Sequence, residues 1–431
     1  MNTLKRIGQQ RFQAVTLGFM LTAEALLAGC SGHSAPDATN VAQWNGIATQ
    51  AVLAFDAANP PGLPPMVDSR IYAMAFSAVH DALNAIDRRY QPYLSDLSAR
   101  GADPNAAVAQ AVHDVMVNEL PPEATFLNAQ LIAALAAIPD GTAKQRGIDL
   151  GSRCAQAIIA ARSNDGSANA QGPYSAPTDP GVYQPTIPVG VATFVNWGQV
   201  TPFVATSGMQ FRAPPPYTVQ SPAYTADYNE VKTLGAAVNS TRTADQSEIA
   251  RFWLENSSLG WDRIAMNVAA ARGLNGWDQA RLYALLELAI SDSYITSLET
   301  KYFYRFWRPI TAIRQGDSDG NADTVGDANW APFDFVTPPV PDYPSAHSSA
   351  GGAAHAVLDG FFGTDAVSFS LTSTSLPGVT RHYTSFTQAE AENAASRVYV
   401  GYHFRLATTV GITQGEEVGN LVVTTRLLPA R

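Results

Sequence analysis

Three short polar segments in the C-terminal part of the chain supply, in order, side chains able to hold one tetrahedral oxyanion. They are Lys301 with Arg308-Pro309; Tyr343-Pro344-Ser345-Ala346-His347; and Ser396-Arg397 followed by His403. Residues seven apart on an α-helix are two turns less about 20° apart, so Lys301 and Arg308 are expected on one face of a helix that ends just past Arg308 at Pro309. Tyr302, Phe303, Tyr304, Phe306 and Trp307 make their setting too aromatic for a solvated basic stripe, which predicts a partly buried site. Ser345 follows a proline and opens an apolar helical run. Its hydroxyl and the Ala346 amide would meet anion oxygens at a helix start, and His347 would deliver or accept a proton. Arg397 offers planar, bidentate recognition of oxygens, and His403 an imidazole nitrogen that can bond the central atom as nucleophile or ligand. On a continuous helix these two would stand about 240° apart, so sharing a ligand requires a bend, for which Gly401 is suited. Taken singly, the segments read as a basic helix face, a helix cap with an incidental histidine, and a core histidine. Their joint occurrence in this order points to the site.

The elements that must position these residues are helical wherever a period is readable. Helices are expected over 41–57, 69–86, 105–120, 122–138 and 142–162, then 223–235, 244–256, 261–274, 277–306, 345–362 and 387–427. Thr243 with Gln246, and Thr387 with Glu390, have the spacing of capping boxes. Residues 163–224 change to Pro, Gly, Ser and Thr, too long a run for an idle connection; they read as an excursion packed over a surface or covering a site. Strand alternation is weak throughout. The expectation is an all-α protein of two bundle-like halves: a leader over 1–29, a helical region over 30–162, the excursion over 163–224, and a C-terminal bundle over 225–431 carrying the oxyanion residues. The repeated Ala-Val-His-Asp at 78–81 and 111–114 reads as structural, because adjacent helical residues point about 100° apart.

Composition bounds the partners. At 431 residues with 46% hydrophobic and 15% charged residues, the chain can bury one large or two ordinary cores. Lys5, Arg6 and Arg11 precede an apolar stretch that ends in Leu27-Ala28-Gly29-Cys30, the form of a bacterial lipoprotein cleavage box. Cleavage would leave Cys30 as a lipid-bearing N-terminus and place the protein in the cell envelope, on the periplasmic or outer surface. Of 27 Lys+Arg and 37 Asp+Glu, the leader holds three and one, leaving 24 against 36. So acidic a body argues against nucleic acid as a partner, and oxyanion binding must come from a local basic pocket. No later apolar run is long enough to cross a bilayer, so membrane attachment is expected only through the lipid. With Cys30 lipidated, Cys154 has no disulfide partner. Formation of a homo-oligomer is left open.

The three segments resemble the superfamily that unites type 2 phosphatidic acid phosphatases, bacterial acid phosphatases and vanadium-dependent haloperoxidases. The flanks are more similar to the haloperoxidase branch: Lys301-Tyr302-Phe303-Tyr304, Phe306-Trp307-Arg308-Pro309-Ile310-Thr311-Ala312-Ile313, Thr337-Pro338-Pro339, and Ser396-Arg397-Val398-Tyr399 with Gly401-Tyr402-His403-Phe404-Arg405. Pro60-Pro61 and Ala82-Leu83-Asn84-Ala85-Ile86-Asp87 are also similar to bacterial members. The resemblance implies two four-helix bundles of the vanadium chloroperoxidase and type 2 acid phosphatase kind. It implies a vanadate held by Lys301, Arg308, Ser345, the Ala346 amide and Arg397, with His403 bonded to vanadium and His347 as acid-base catalyst. Hydrogen peroxide and halide would then be the reactants and hypohalous acid the product. Three positions depart from the pattern: Ala346 stands where Gly is usual, Val340 where Phe or His is common, and Ala407 where many relatives carry an Asp that could orient the histidine. His403 must then be oriented by a backbone carbonyl or another residue. Phosphate is nearly isosteric with vanadate, so the alternative is a phosphomonoester or lipid-phosphate phosphatase with His403 as nucleophile and phosphate in place of vanadate. A third reading is a protein that only binds oxyanions.

Overall fold

The computed structural model describes residues 37–334 and 336–430; the leader and Cys30 lie outside them. Thirteen α-helices follow one another: α1 Val41–Ala58, α2 Pro65–Ile86, α3 Pro104–Glu119, α4 Ala124–Ala136, α5 Thr142–Arg162, α6 Pro222–Leu234, α7 Ala244–Phe252, α8 Ser257–Arg272, α9 Gly276–Tyr304, α10 Pro309–Arg314, α11 Ala346–Phe362, α12 Phe386–Tyr399 and α13 Arg405–Thr425. The starts of α2, α3, α6 and α10 carry proline in the first turn, where its missing N–H costs nothing and its fixed φ suits the helix. This reverses the expectation at Pro309, which begins a helix and does not end one. The chain leaves α9 at Tyr304, takes a left-handed turn at Arg305 (φ 53°), and re-enters helix with Arg308 as the N-cap of α10. Lys301 and Arg308 therefore do not share a helix face.

The Thr243–Gln246 capping box forms as expected. The one proposed at Thr387 does not: Ser385 caps α12 by accepting from the Gln388 amide, leaving Glu390 for another role. The expected helical stretches within 387–427 divide beside Gly401, with α12 ending at Tyr399 and α13 starting at Arg405. Gly401 makes the bend at φ +86°, and a Cβ there would stand 2.5 Å from the Gly235 carbonyl oxygen, so only glycine fits. The polar stretch before α12 holds one antiparallel hairpin, β1 Phe369–Thr372 with β2 Thr380–Tyr383, paired from Phe369 opposite Tyr383 to Thr372 opposite Thr380. Four-residue strands are too short for alternation to show in the sequence.

Helix α9 is the axis. It packs on α2 from the first bundle, which is built with α3 and α5, and on α11 and α13 from the second, which α12 completes. Such a helix is buried on all sides, yet α9 carries Ser293, Thr296, Ser297 and Thr300. Their hydroxyls donate to carbonyls three or four residues back, which satisfies them without solvent. Helices α11 and α13 pack closely because glycine faces α11: a Cβ at Gly415 would stand 1.9 Å from the Ser349 carbonyl oxygen, and one at Gly411 2.6 Å from that of Ser345.

Before α6 begins at Pro222, the excursion 163–224 has only two 3-10 turns among the described residues, Ser167–Asn169 and Trp197–Gln199, and it straps the segments around the site. The amides of Phe203, Val204 and Ala205 donate to the buried carboxylate of Asp292 on α9. Tyr183 N–H donates to the Arg305 carbonyl, Trp307 N–H to the Gly181 carbonyl, and Tyr343 Oη to the Pro214 carbonyl. Tyr217, Tyr224 and Phe404 then pack edge to face around Phe306, and Trp307 stacks on Tyr224, in the cluster that leads into Arg308.

Candidate active site

Lys301, in the last turn of α9, is 1% exposed, and its ammonium donates to the carbonyls of Pro341 (2.8 Å) and Asp342 (2.9 Å). Arg308 is equally buried: Nε donates to the Val340 carbonyl at 2.8 Å, and Nη1 to the Tyr402 carbonyl and to His403 Nε2, both at 2.9 Å. These bonds tie the segment 340–342 to both cations, so the proline-rich approach to the second motif is a structural part of the site. Burial and the neighbouring Arg308 hold Lys301 well below the ordinary lysine range, with Asp342 opposing.

Ser345 is the N-cap of α11: its Oγ accepts from the Ser348 amide (3.3 Å) and the Ser348 hydroxyl (3.0 Å). Its own hydroxyl proton remains to be given elsewhere. The Ala346 and His347 amides occupy the first turn, whose N–H groups have no partner within the helix. His347 Nδ1 lies 3.0 Å from Ser257 Oγ on α8, while its Nε2 is enclosed and without a partner. Burial first, then Arg397, push His347 well below 6.5, so the ring is neutral at ordinary pH.

Arg397 on α12 is 5% exposed, and among the described residues its one acceptor is the Trp253 carbonyl, 3.3 Å from Nη1, while Nε and Nη2 have no partner. Burial chiefly, with Arg308 nearby, brings it down to about 10. The bend at Gly401 returns the chain so that the Tyr402 and His403 amides both donate to the Arg397 carbonyl. His403 thereby faces the same site as Arg397. A guanidinium cannot accept, so the Arg308 contact makes His403 Nε2 the lone-pair nitrogen and puts the ring proton on Nδ1. That nitrogen lies 2.9 Å from Asp342 Oδ1, at ion-pair distance but off hydrogen-bond alignment.

Asp342 is the residue that motif reading missed. It is 1% exposed and does what the absent acid at Ala407 was expected to do, from a segment 61 positions earlier than His403. Burial pushes its carboxyl up to about 7 against the pull of Arg308 and Lys301. The signal was in the sequence as an aspartate between prolines, three residues ahead of Ser345, but only contact with His403 gives it meaning. Ser257, which orients His347, carried no signal.

His403 has Arg308, Lys301, Arg397 and His347 as its charged or titratable neighbours, and Ser345 and Ala346 lead directly into His347 at the start of α11. Three cations are held down by burial: Lys301 and Arg308 face the Asp342 carboxylate, and Arg397 has Asp334 as its carboxylate neighbour. Unpartnered Arg397 nitrogens, unpartnered His347 Nε2 and a His403 lone pair complete a donor set suited to an oxyanion such as vanadate or phosphate. By contrast the His-Asp pairs of the first bundle are structural. Asp81 accepts the amides of Tyr93, Leu94 and Ser95, and His113 bridges Asp114 and Asn128, each at 2.8 Å.

Residues 281–427 match the family described as the VCPO second helical-bundle domain. Vanadium chloroperoxidase of Curvularia inaequalis is 27% identical over 276 residues, which cover 48% of this chain and 45% of that protein. The chain therefore spans about half the length of this curated relative. Among solved structures, the first bacterial vanadium-dependent iodoperoxidase superposes with a TM-score of 0.78 at 24% identity, covering 90% of this chain and 98% of that one. The holo-type bacterial vanadium-dependent chloroperoxidase gives 0.66 at 19%, covering 86% and 94%. The likeness seen in the three motifs is thus met independently in sequence and in fold: the chain has the fold of the vanadium haloperoxidases, and its residues 281–427 match the second helical bundle of vanadium chloroperoxidase.

Proposed function

We propose that the protein is a vanadate-dependent peroxidase that oxidises halide with hydrogen peroxide to hypohalous acid. The observation that carries this reading is the set of three buried cations around His403, with two Arg397 nitrogens lacking an acceptor and the His403 Nε2 lone pair held by Arg308. Lys301, Arg308, Arg397, the Ser345 hydroxyl and the Ala346 amide would hold the oxygens of vanadate, and His403 Nε2 would be its protein ligand. When bound, vanadate supplies an electrophilic centre that activates peroxide toward halide. The chain's own residues do the rest. The cations stabilise negative charge in a water-poor setting. His347, neutral and with Nε2 unpartnered, accepts a proton from incoming peroxide and returns it to the departing oxygen. Asp342 keeps the His403 proton on Nδ1. The phosphatase reading uses the same residues, and no observation favours it. Equally, the lack of an acid at Ala407 no longer argues against it, because Asp342 stands beside His403.

A paired assay on tag-free protein tests the proposal: oxidation of bromide and iodide with peroxide plus vanadate, and hydrolysis of a chromogenic phosphate ester without vanadate. Vanadate-dependent halogenation of a phenol dye is the expected result. Ester hydrolysis that vanadate blocks, with no halogenation, would replace the proposal with a phosphatase; binding without either turnover would leave an oxyanion binder.

We further propose that the protein is exported and held at the cell envelope by lipid on Cys30. The basic start, the apolar stretch and Leu27-Ala28-Gly29-Cys30 support this, and no helix among the described residues is long and apolar enough to cross a membrane. Radiolabelled palmitate should be incorporated into the wild type and not into Cys30→Ala; equal labelling of both would refute the anchor.

A further inference from the structure

We infer a second inorganic site, for a divalent transition-metal ion, on His355, Glu390 and Glu416. These three come from α11, α12 and α13, and the atoms they would use lie within 4.8 Å of one another. Glu390 Oε2 is 3.2 Å and Glu416 Oε1 3.6 Å from the same His355 nitrogen, Nδ1. Metal-to-ligand distances of about 2.0–2.2 Å place tetrahedral ligands about 3.3–3.6 Å apart, and the two contacts have that spacing.

Three features separate this cluster from an ordinary ion pair. Glu390 is 4% exposed, yet its Oε1 has no hydrogen-bond partner, and His355 Nδ1 has none either despite the nearby carboxylates. The second Glu390 oxygen without a partner, beside a ring nitrogen in ion-pair range of two carboxylates but off hydrogen-bond alignment, is a setting in which a shared cation would be the missing partner. The opposite ring nitrogen, Nε2, faces Asp365 Oδ1 at 3.5 Å and Thr387 Oγ1 at 3.4 Å. A carboxylate on the far nitrogen holds the imidazole proton there and turns the Nδ1 lone pair toward the metal, the usual arrangement behind a metal-bound histidine. The Glu416 side chain is 37% exposed, which gives an ion a route from solvent and leaves a coordination position for water. One imidazole with two carboxylates suits zinc, manganese or ferrous iron.

The placement suggests a staple. His355 lies eight residues after His347 on α11, about 12 Å along the axis, and Glu390 lies seven before Arg397 on α12, about 10 Å. An ion there would fasten the helices that carry the oxyanion residues without touching them. The inference does not depend on the peroxidase reading.

Protein stripped with a chelator and dialysed would be titrated with zinc by calorimetry and with cobalt(II) by visible absorption. One ion per chain, a tetra- or pentacoordinate cobalt spectrum and a raised unfolding midpoint are expected. His355→Ala and Glu416→Gln should remove the site, and the exposed Asp365→Asn, which disturbs folding least, should weaken it about 10–100-fold. Vanadate affinity should persist in Asp365→Asn. If zinc and cobalt bind the wild type no better than His355→Ala and Asp365→Asn, the inference fails and the cluster is an imidazolium held by carboxylates.

Discussion

Each bundle buries a pair of arginines, and the two pairs are treated in opposite ways. In the first, Arg70 donates to Asp165 (2.7 Å), Glu119 (2.9 Å) and the Arg162 carbonyl (3.0 Å), and Arg162 to Asp165 and to the carbonyls of Thr201 and Pro202. In the second, Arg308 is tied to two carbonyls and a histidine, and Arg397 to one long carbonyl contact, with two of its nitrogens unpartnered. Burial of a cation is therefore no mark of a site. What distinguishes the second pair is that, among the described residues, no carboxylate is bonded to either guanidinium and two Arg397 nitrogens lack an acceptor, the departure from internal consistency expected where a ligand completes the structure.

The contrast can be broken by mutation. The largest effect is expected from His347→Ala, which should lower turnover about 10²–10⁴-fold while vanadate affinity, read by calorimetry, is nearly kept. In the wild type, because His347 is held well below 6.5, its protonation should not depress the rate until pH falls well under that value. Next, Arg70→Ala strands Asp165 and Glu119 and should cost about 3–5 kcal/mol of unfolding free energy in a denaturant titration, with vanadate affinity per folded molecule unchanged. Arg397→Ala should do the reverse, losing about 10²–10³ in turnover with the stability of the vanadate-free protein unchanged or raised, since it deletes a buried guanidinium with two nitrogens that lack an acceptor. Loss of stability as large as that of Arg70→Ala would erase the distinction.

Two smaller effects sharpen it. His80 on α2 is fully buried and lowered to about 4, chiefly by burial. Its folded value lies below the unfolded 6.5, so the folded state binds fewer protons in between. Its contribution is present above pH 6.5 and is lost as pH falls toward about 4, on the order of 3 kcal/mol in all. His80→Gln should flatten that part of the stability–pH curve and leave the oxyanion site intact. Smallest, Asp342→Asn should weaken vanadate binding about tenfold, through loss of the partner that fixes the His403 tautomer. An unchanged affinity would show that Arg308 alone orients the ring.

Local order carried much of this protein. Helical periods, proline and glycine positions and the Thr243–Gln246 box depend on a few consecutive residues, so the all-α class and most helix spans were readable, as was the bend at Gly401. The types and order of the seven residues proposed to hold the oxyanion are legible for the same reason, each motif being short. What only packing decided are the relations between distant segments. Pro309 opens a helix, so Lys301 and Arg308 converge from different elements. Asp342 meets His403 because α13 returns beside the segment that Lys301 and Arg308 tie down. Glu390, read as a cap, faces His355 because Ser385 caps the helix first. A side chain's chemistry is set by its type, but whether a partner stands 3 Å away is set by how the helices lie together, and no window of neighbouring residues encodes that.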